Sequence, residues 1–323
     1  MVTIEKVQSN RDKRAFIRFP FQLYKGNPYW VPPLIRSEWE TLDADKNPAF
    51  DAAEAHFFLA YKGGGVVGRI AALINWTEVR QQGEKKMRFG WFDVVDDLDV
   101  TRALIDEVQK IAKAKKLSFL EGPLGRSNLD KAGLLTRGFE SVSTLATGYN
   151  HPYYLQHLLD LGFEKATEWV EYTIKVPARI PEKMQRFARL IQSKYRLKIL
   201  RFQSKKELAQ HADELFDLLD ETYRSLRAYV PISERQKQYY IQKFIRLIHL
   251  DYIAAIRDES DAMIAFAITM PSYSKALQSA KGQLFPLGFV HLLRAHRKNN
   301  RADLYLIGVK PEFQKKGVTA ILF

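Results

Sequence analysis

Residues Gly308 to Phe323 read GVKPEFQKKGVTAILF, and the rest of the chain is best read outward from them. The residues just before, ADLYLIGVK from Ala302 to Lys310, predict a strand. Pro311 has no backbone N–H, so ladder pairing should stop near it. Gln314, Lys315, Lys316 and Gly317 form a basic turn, and VTAILF can begin a helix. Strand, tight turn and helix start together make a geometry that holds phosphate. N–H groups not used by the helix face outward, and the helix dipole favours negative charge. Gly317 allows a positive φ and close approach of the main chain to an anion, while Lys315 and Lys316 add charge. The same residues would also suit a plain basic surface turn. What precedes them separates the two readings.

Two parts of the chain follow one order of elements. In the first half, VTIEKV is a short strand and Arg11 to Tyr24 a helix. NPYWVPPL is a rigid Pro-aromatic segment, and HFFLAYKGGGVVGRIAALIN gives two strands about Gly63 to Gly65. KMRFGWFDVVDD is the next strand. In the second half LKILRF opens as a strand. Leu208, Ala212, Leu215, Leu219 and Leu226 mark one helical face, and Ile241, Phe244, Ile245 and Ile248 another. DYIAAIRDESDAMIAFAITM is a hairpin turning at Asp258 to Asp261, followed by the strand before Pro311. Each half thus gives strand, helices, hairpin, strand, which predicts two related α+β units.

The first half continues through an amphipathic helix (VTRALIDEVQKIAKAKK), a strand closed by Gly122-Pro123, a helix ended by Gly162, and a last strand in TEWVEYTIKVP. Pro181 to Tyr195 predicts a connecting helix. The expected domains are 1–178, a linker helix at 179–196, and 197–323.

Length and composition set the frame. The 323 residues suffice for two domains, and 46% hydrophobic content fits a folded chain. Cysteine is absent, which excludes disulfides and thiolate metal sites and fits a cytoplasmic setting. No apolar run is long enough to span a bilayer, and no membrane partner is expected. The seven histidines show no paired metal spacing, so no metal is expected. The net charge of +13 points to an anionic partner. The basic residues are scattered without aromatic interleaving, which argues against nucleic acid.

In this context the final stretch resembles the acyl-CoA-binding signature of the GNAT superfamily of N-acyltransferases. That signature is Gln or Arg, two residues, Gly, one residue, then Gly or Ala. Gln314 and Gly317 match, as does the approach GVKPEF. Thr319 stands at the last position, with Ala320 next to it. NPYWVPPL, EGPLGRSN, NHPYYLQHLLDLGFEK, GQLFPLGF and LIGVKPEFQKKGV further resemble a tandem-domain bacterial group of that superfamily over most of the length.

The resemblance implies two GNAT-like domains, each a mixed, mostly antiparallel sheet flanked by helices. The first is degenerate. In place of the pyrophosphate loop it offers Asp96, Asp97 and Asp99, which would repel an anion and suit helix capping instead. The implied co-substrate is acetyl-CoA or another acyl-CoA. It would be held by Ile307, Gly308 and Val309 of the strand and by Gln314, Lys315, Lys316, Gly317, Val318, Thr319 and Ala320 of the turn. Gly308 would mark the splay of the strand toward the pantetheine arm. A small-molecule or peptide amine would attack the thioester directly, helped by an N–H near Val309. Glu221, Tyr223, Tyr305 and Glu171 are base candidates by position, and Glu171 and Tyr229, the latter in the acceptor-side loop RAYVPIS, are expected to bind the acceptor. A chain ending on AILF is expected to be a fragment of the second domain. Two other readings stay open: a tRNA-dependent aminoacyltransferase of the peptidoglycan cross-bridge type, and a binding protein that kept the fold without the chemistry.

Overall fold

The computed structural model describes residues 1–127, 129–245 and 248–322. In chain order the first elements are β1 (Thr3–Lys6), α1 (Asn10–Leu23), α2 (Ile35–Thr41), β2 (Ala53–Lys62), β3 (Gly65–Asn75) and α3 (Trp76–Gln81). β4 (Lys86–Val94), α4 (Leu98–Ala114), β5 (Phe119–Glu121) and α5 (Tyr153–Asp160) follow. Next come α6 (Glu182–Lys194), β6 (Lys198–Leu200), α7 (Lys205–Gln210), α8 (Ala212–Tyr223), α9 (Glu234–Phe244) and β7 (Ile253–Arg257). The last are β8 (Met263–Pro271), α10 (Ser274–Ala280), α11 (Gly288–Arg297), β9 (Ala302–Val309) and α12 (Thr319–Leu322). The chain forms two compact units: Met1–Glu164 with Ser272–Asn299, and Lys165–Pro271 with the residues from Asn300 onward.

The first unit is built on a sheet in the order β1-β2-β3-β4-β5, antiparallel except for β4 with β5. Gly63 and Gly64 take positive φ at the β2–β3 turn, as a tight hairpin requires. Ser9 and Asp12 close a capping box at the start of α1. α4 lays Val100, Leu104, Ile105 and Val108 on the sheet core beside Ile70, Phe89 and Val94. Buried charge ties the elements together. Glu78 of α3 accepts from Arg88 at 2.9 and 2.8 Å and pairs with Lys86 at 2.6 Å, and Lys86 also meets Glu121 of β5 at 2.7 Å. Pairing offsets the desolvation of these ions, so removing one partner would strand another in the core.

The second unit carries the antiparallel sheet β6-β7-β8-β9. Leu215, Leu218 and Leu219 of α8 share its core with Ile253, Ala255 and Phe266. Both units interrupt the same strand pair. Arg69 faces Asp93 and Ala71 faces Gly90, so Trp91 and Phe92 together stand opposite Ile70. In the second unit Ile268 faces Leu306 and Thr269 faces Leu304, so Tyr305 is the extra residue. The repeated order of strand, helices, hairpin and bulged strand matches the expected α+β architecture.

Four expectations change. TEWVEYTIKVP forms no strand; it has the alternation of one, but a strand exists only where it is paired, and among the described residues this segment pairs with no other strand. The face from Leu208 to Leu219 is split at His211 into α7 and α8, and Leu226 lies beyond the helix and is exposed. α6 does not merely connect: its Ile191 is buried with Ile256, Ile264 and Val318 of the second unit. Ser272–Asn299, expected with the second domain, groups with the first unit, where Gln278 donates to the carbonyls of Pro28 and Trp30 at 2.8 and 3.0 Å. Phe323, on which the fragment expectation turns, lies outside the described residues.

A candidate cofactor cleft at the β9 turn

β9 is bonded to β8 on one side only among the described residues. Lys310 donates to the Ile264 carbonyl at 2.9 Å. Bonding alternates along an antiparallel pair, so the N–H groups of Val309 and Ile307 point to the open side of β9. The ladder stops at Pro311, as expected, and Pro311–Phe313 makes one 3-10 turn.

The main chain then folds into a donor-lined bend. Lys315 takes φ 59° and Gly317 φ 79°. Among the described residues the N–H groups of Lys315, Gly317, Val318 and Thr319 have no acceptor, whereas those of Gln314, Ala320 and Ile321 are used within the turn. Successive free N–H groups beside left-handed residues form a concavity suited to an anion such as a pyrophosphate. α12 is only four residues long here, so the loop donors carry this argument more than any helix dipole. A cleft of roughly 470 Å³ opens at this point, lined by Ile307, Val309, Phe313, Gln314, Lys315, Gly317, Val318 and Thr319.

Seven of the ten expected cofactor residues line that cleft. Gly308 does not. It pairs regularly with Phe266, and a Cβ there would come within 2.5 Å of the Phe266 ring and 2.8 Å of the Thr222 hydroxyl. Its glycine serves packing beneath the sheet, and the splay assigned to it falls at Tyr305. Lys316 turns away, its ammonium 5.3 Å over the Tyr195 ring and 5.0 Å over Phe313. Ala320 lies outside the lining. Gln314 braces the turn by donating to the Val309 carbonyl at 3.1 Å.

Among the acid–base candidates, Tyr223 is the one in contact with β9. Its hydroxyl accepts the Ile307 N–H at 3.4 Å, beside the bulge. Burial raises its pKa, and the Ile307 bond acts in the opposite sense. Tyr305 sits at the bulge with its hydroxyl buried. Glu171 is exposed and lies outside the cleft lining; its carboxyl is raised by desolvation first and by Asp303 of β9 second. Glu221 pairs with Lys310 at 3.6 Å near the end of β9. Tyr229 is buried and donates to Asp220 at 2.8 Å, so its hydroxyl braces α8 and is kept from an acceptor. Sequence reading missed Phe313 in the lining and Phe187 of α6 beneath it. A Cβ on Gly317 would meet the Phe187 ring at 2.9 Å.

A two-unit chain with a bulged central strand and an amide-lined turn has the fold of the GNAT acyltransferases. Over 98% of its length the chain matches the GCN5-related glucosamine N-acetyltransferase region of a fungal multi-domain beta-N-acetylglucosaminidase, with a TM-score of 0.51, 11% identity and 32% of that chain covered. In sequence it is 28% identical over 311 residues to Protein YghO of Escherichia coli, covering 95% of this chain and 78% of that protein. It is 27% identical over 318 residues to the bacterial ceramide synthase of Caulobacter vibrioides, covering 97% and 82%. No protein-family model matches.

Proposed function

We propose that this protein is an acyl-CoA-dependent N-acyltransferase with one cofactor site, in the second unit. The observation that carries the reading is the set of four N–H groups, of Lys315, Gly317, Val318 and Thr319, that have no acceptor among the described residues, at the end of a strand with an open edge. The CoA pyrophosphate rests on those donors, with Lys315 as counter-charge, and the pantetheine arm lies along β9. The thioester oxygen is received by the Val309 N–H. The amine nitrogen bonds to the carbonyl carbon, the C–S bond breaks, and the thiolate leaves as the amine loses a proton. Glu171 is the proposed acceptor of that proton, and Tyr223, whose hydroxyl meets β9 at Ile307, is the proposed donor to the sulfur. The likeness to a ceramide synthase favours a long-chain amino alcohol over a peptide as acceptor and a fatty acyl group over acetyl.

Calorimetric titration of CoA, acetyl-CoA and palmitoyl-CoA tests this in the wild type, Gly317→Asp and Lys315→Glu. Binding in the wild type that is lost in both variants supports the reading. The Lys315 change alters charge on an exposed side chain without touching the Phe187 contact, so it separates repulsion from misfolding. Equal affinity in all three proteins overturns it.

A further inference from the structure

α10 and α11 are neighbours with opposite fates. α10 is anchored in the first unit: Ala276, Leu277 and Ala280 are buried, and the Ile35 N–H donates to the Gly282 carbonyl at 2.9 Å just after it. α11 buries only Gly288. The apolar side chains of α11 and of the residues leading into it face water, with Phe285 71% exposed, Leu287 67% and Leu293 50%, and Phe289 and Val290 between them. The rings of Phe285 and Phe289 lie 5.8 Å apart, which makes one continuous patch. A single exposed leucine is ordinary, but five large exposed apolar residues within nine positions, Phe285 to Leu293, are a docking feature.

Charge says what it docks to. The patch runs into exposed Arg294, Arg297 and Lys298 one turn further along. From Ser272 to Arg301 there is no aspartate or glutamate, while Lys275, Lys281 and these basic residues are present. A protein partner with an ordinary mixed surface would not call for so one-signed a segment. Aromatic and leucine side chains beside a basic cluster suit the boundary between acyl chains and anionic headgroups. Among the described residues no helix is long and apolar enough to cross a membrane, so the mode is surface docking.

We infer that α11 and the residues leading into it dock the first unit onto an anionic phospholipid surface. The inference stands on exposure and charge alone and does not depend on the acyl-transfer reading. It revises the expectation of no membrane partner, which came from the lack of a spanning segment.

Vesicle sedimentation tests it with the full chain, on phosphatidylcholine alone and with about three parts in ten phosphatidylglycerol. Wild type, Phe285→Glu/Leu287→Glu and Arg294→Glu/Arg297→Glu are compared. The expected result is partition onto the phosphatidylglycerol vesicles that falls about tenfold in either variant and weakens between about 0.1 M and 0.5 M salt. These side chains are exposed, so melting curves of the variants should match the wild type. Absence of binding to anionic vesicles overturns the inference, as does equal binding by wild type and variants. Lipid-free dimerisation of the wild type that is lost in the Phe285/Leu287 variant would also overturn it, by showing that a second copy covers the patch. Because sedimentation involves no CoA, its failure leaves the β9 cleft untouched.

Discussion

The turn after β4 and the turn after β9 occupy the same place in their units, and they are filled in opposite ways. After β4, Asp97 caps α4, its side chain accepting from the Asp99 N–H, and pairs with Lys62 of β2. Asp96 reaches His157 of α5 at 3.1 Å. The helix start is therefore served by the protein's own carboxylate. After β9 the corresponding bend holds no acidic residue from Gln314 to Leu322, and four of its N–H groups have no acceptor among the described residues. A carboxylate in the sequence seals one turn, and a glycine with a lysine leaves the other free for an outside anion. A bulge interrupts the corresponding strand pair in both units, while the turns that follow differ in chemistry.

The comparison breaks most sharply at Gly317. Gly317→Asp copies the first turn's chemistry into the second, and CoA affinity should fall by about a hundredfold, roughly 3 kcal/mol, by calorimetry. Next in size is Tyr223→Phe, which removes the hydroxyl beside Ile307. Turnover of acyl-CoA with an amine should drop about tenfold while CoA affinity holds, since general acid catalysis contributes at least that much. Asp97→Asn tests the sealed turn from the other side. Asn keeps a capping oxygen and loses only the exposed pair with Lys62, so the cost should be about 0.5 kcal/mol, and CoA should still bind at one site per chain.

That last effect has a defined pH window. The Asp97 pKa is depressed, chiefly by its hydrogen bond from Lys62, and is lower folded than unfolded. Its contribution is present above the unfolded pKa and disappears as pH falls through the depressed folded one, so wild type and Asp97→Asn should converge in melting temperature at acid pH, below the ordinary aspartate range. The smallest expected change is Lys316→Ala, whose ammonium lies over Tyr195 and Phe313. CoA affinity should shift by less than about twofold, against a clear loss for Lys315→Glu.

What could be read from sequence follows from how local the cause is. The Gly63-Gly64 hairpin, the Asp97 cap and the stop at Pro311 depend on a few adjacent residues, and all three hold. Gln314 and Gly317 were legible because a turn's chemistry is written within it. Phe313 in the lining, Phe187 beneath Gly317, and Asp303 beside Glu171 depend on tertiary placement, which spacing along the chain does not encode. TEWVEYTIKVP misled because alternation states what a strand could bury, while pairing depends on a neighbouring edge. Gly308 was read as a hinge of the strand because glycine permits both freedom and close approach, and only the Phe266 ring distinguishes the two.

The contact between Gly317 and Phe187 has a consequence for biogenesis. The bend that offers its amides to an anion rests on a helix synthesised about 130 residues earlier, and contacts of such separation form late because long loops must close first. Ile191 of that helix and Val318 of the bend are buried together with Ile256 and Ile264, so the bend is set only when α6, β7 and β8 have assembled. On the acyl-CoA reading proposed above, nascent chains would bind CoA only once the second unit has consolidated.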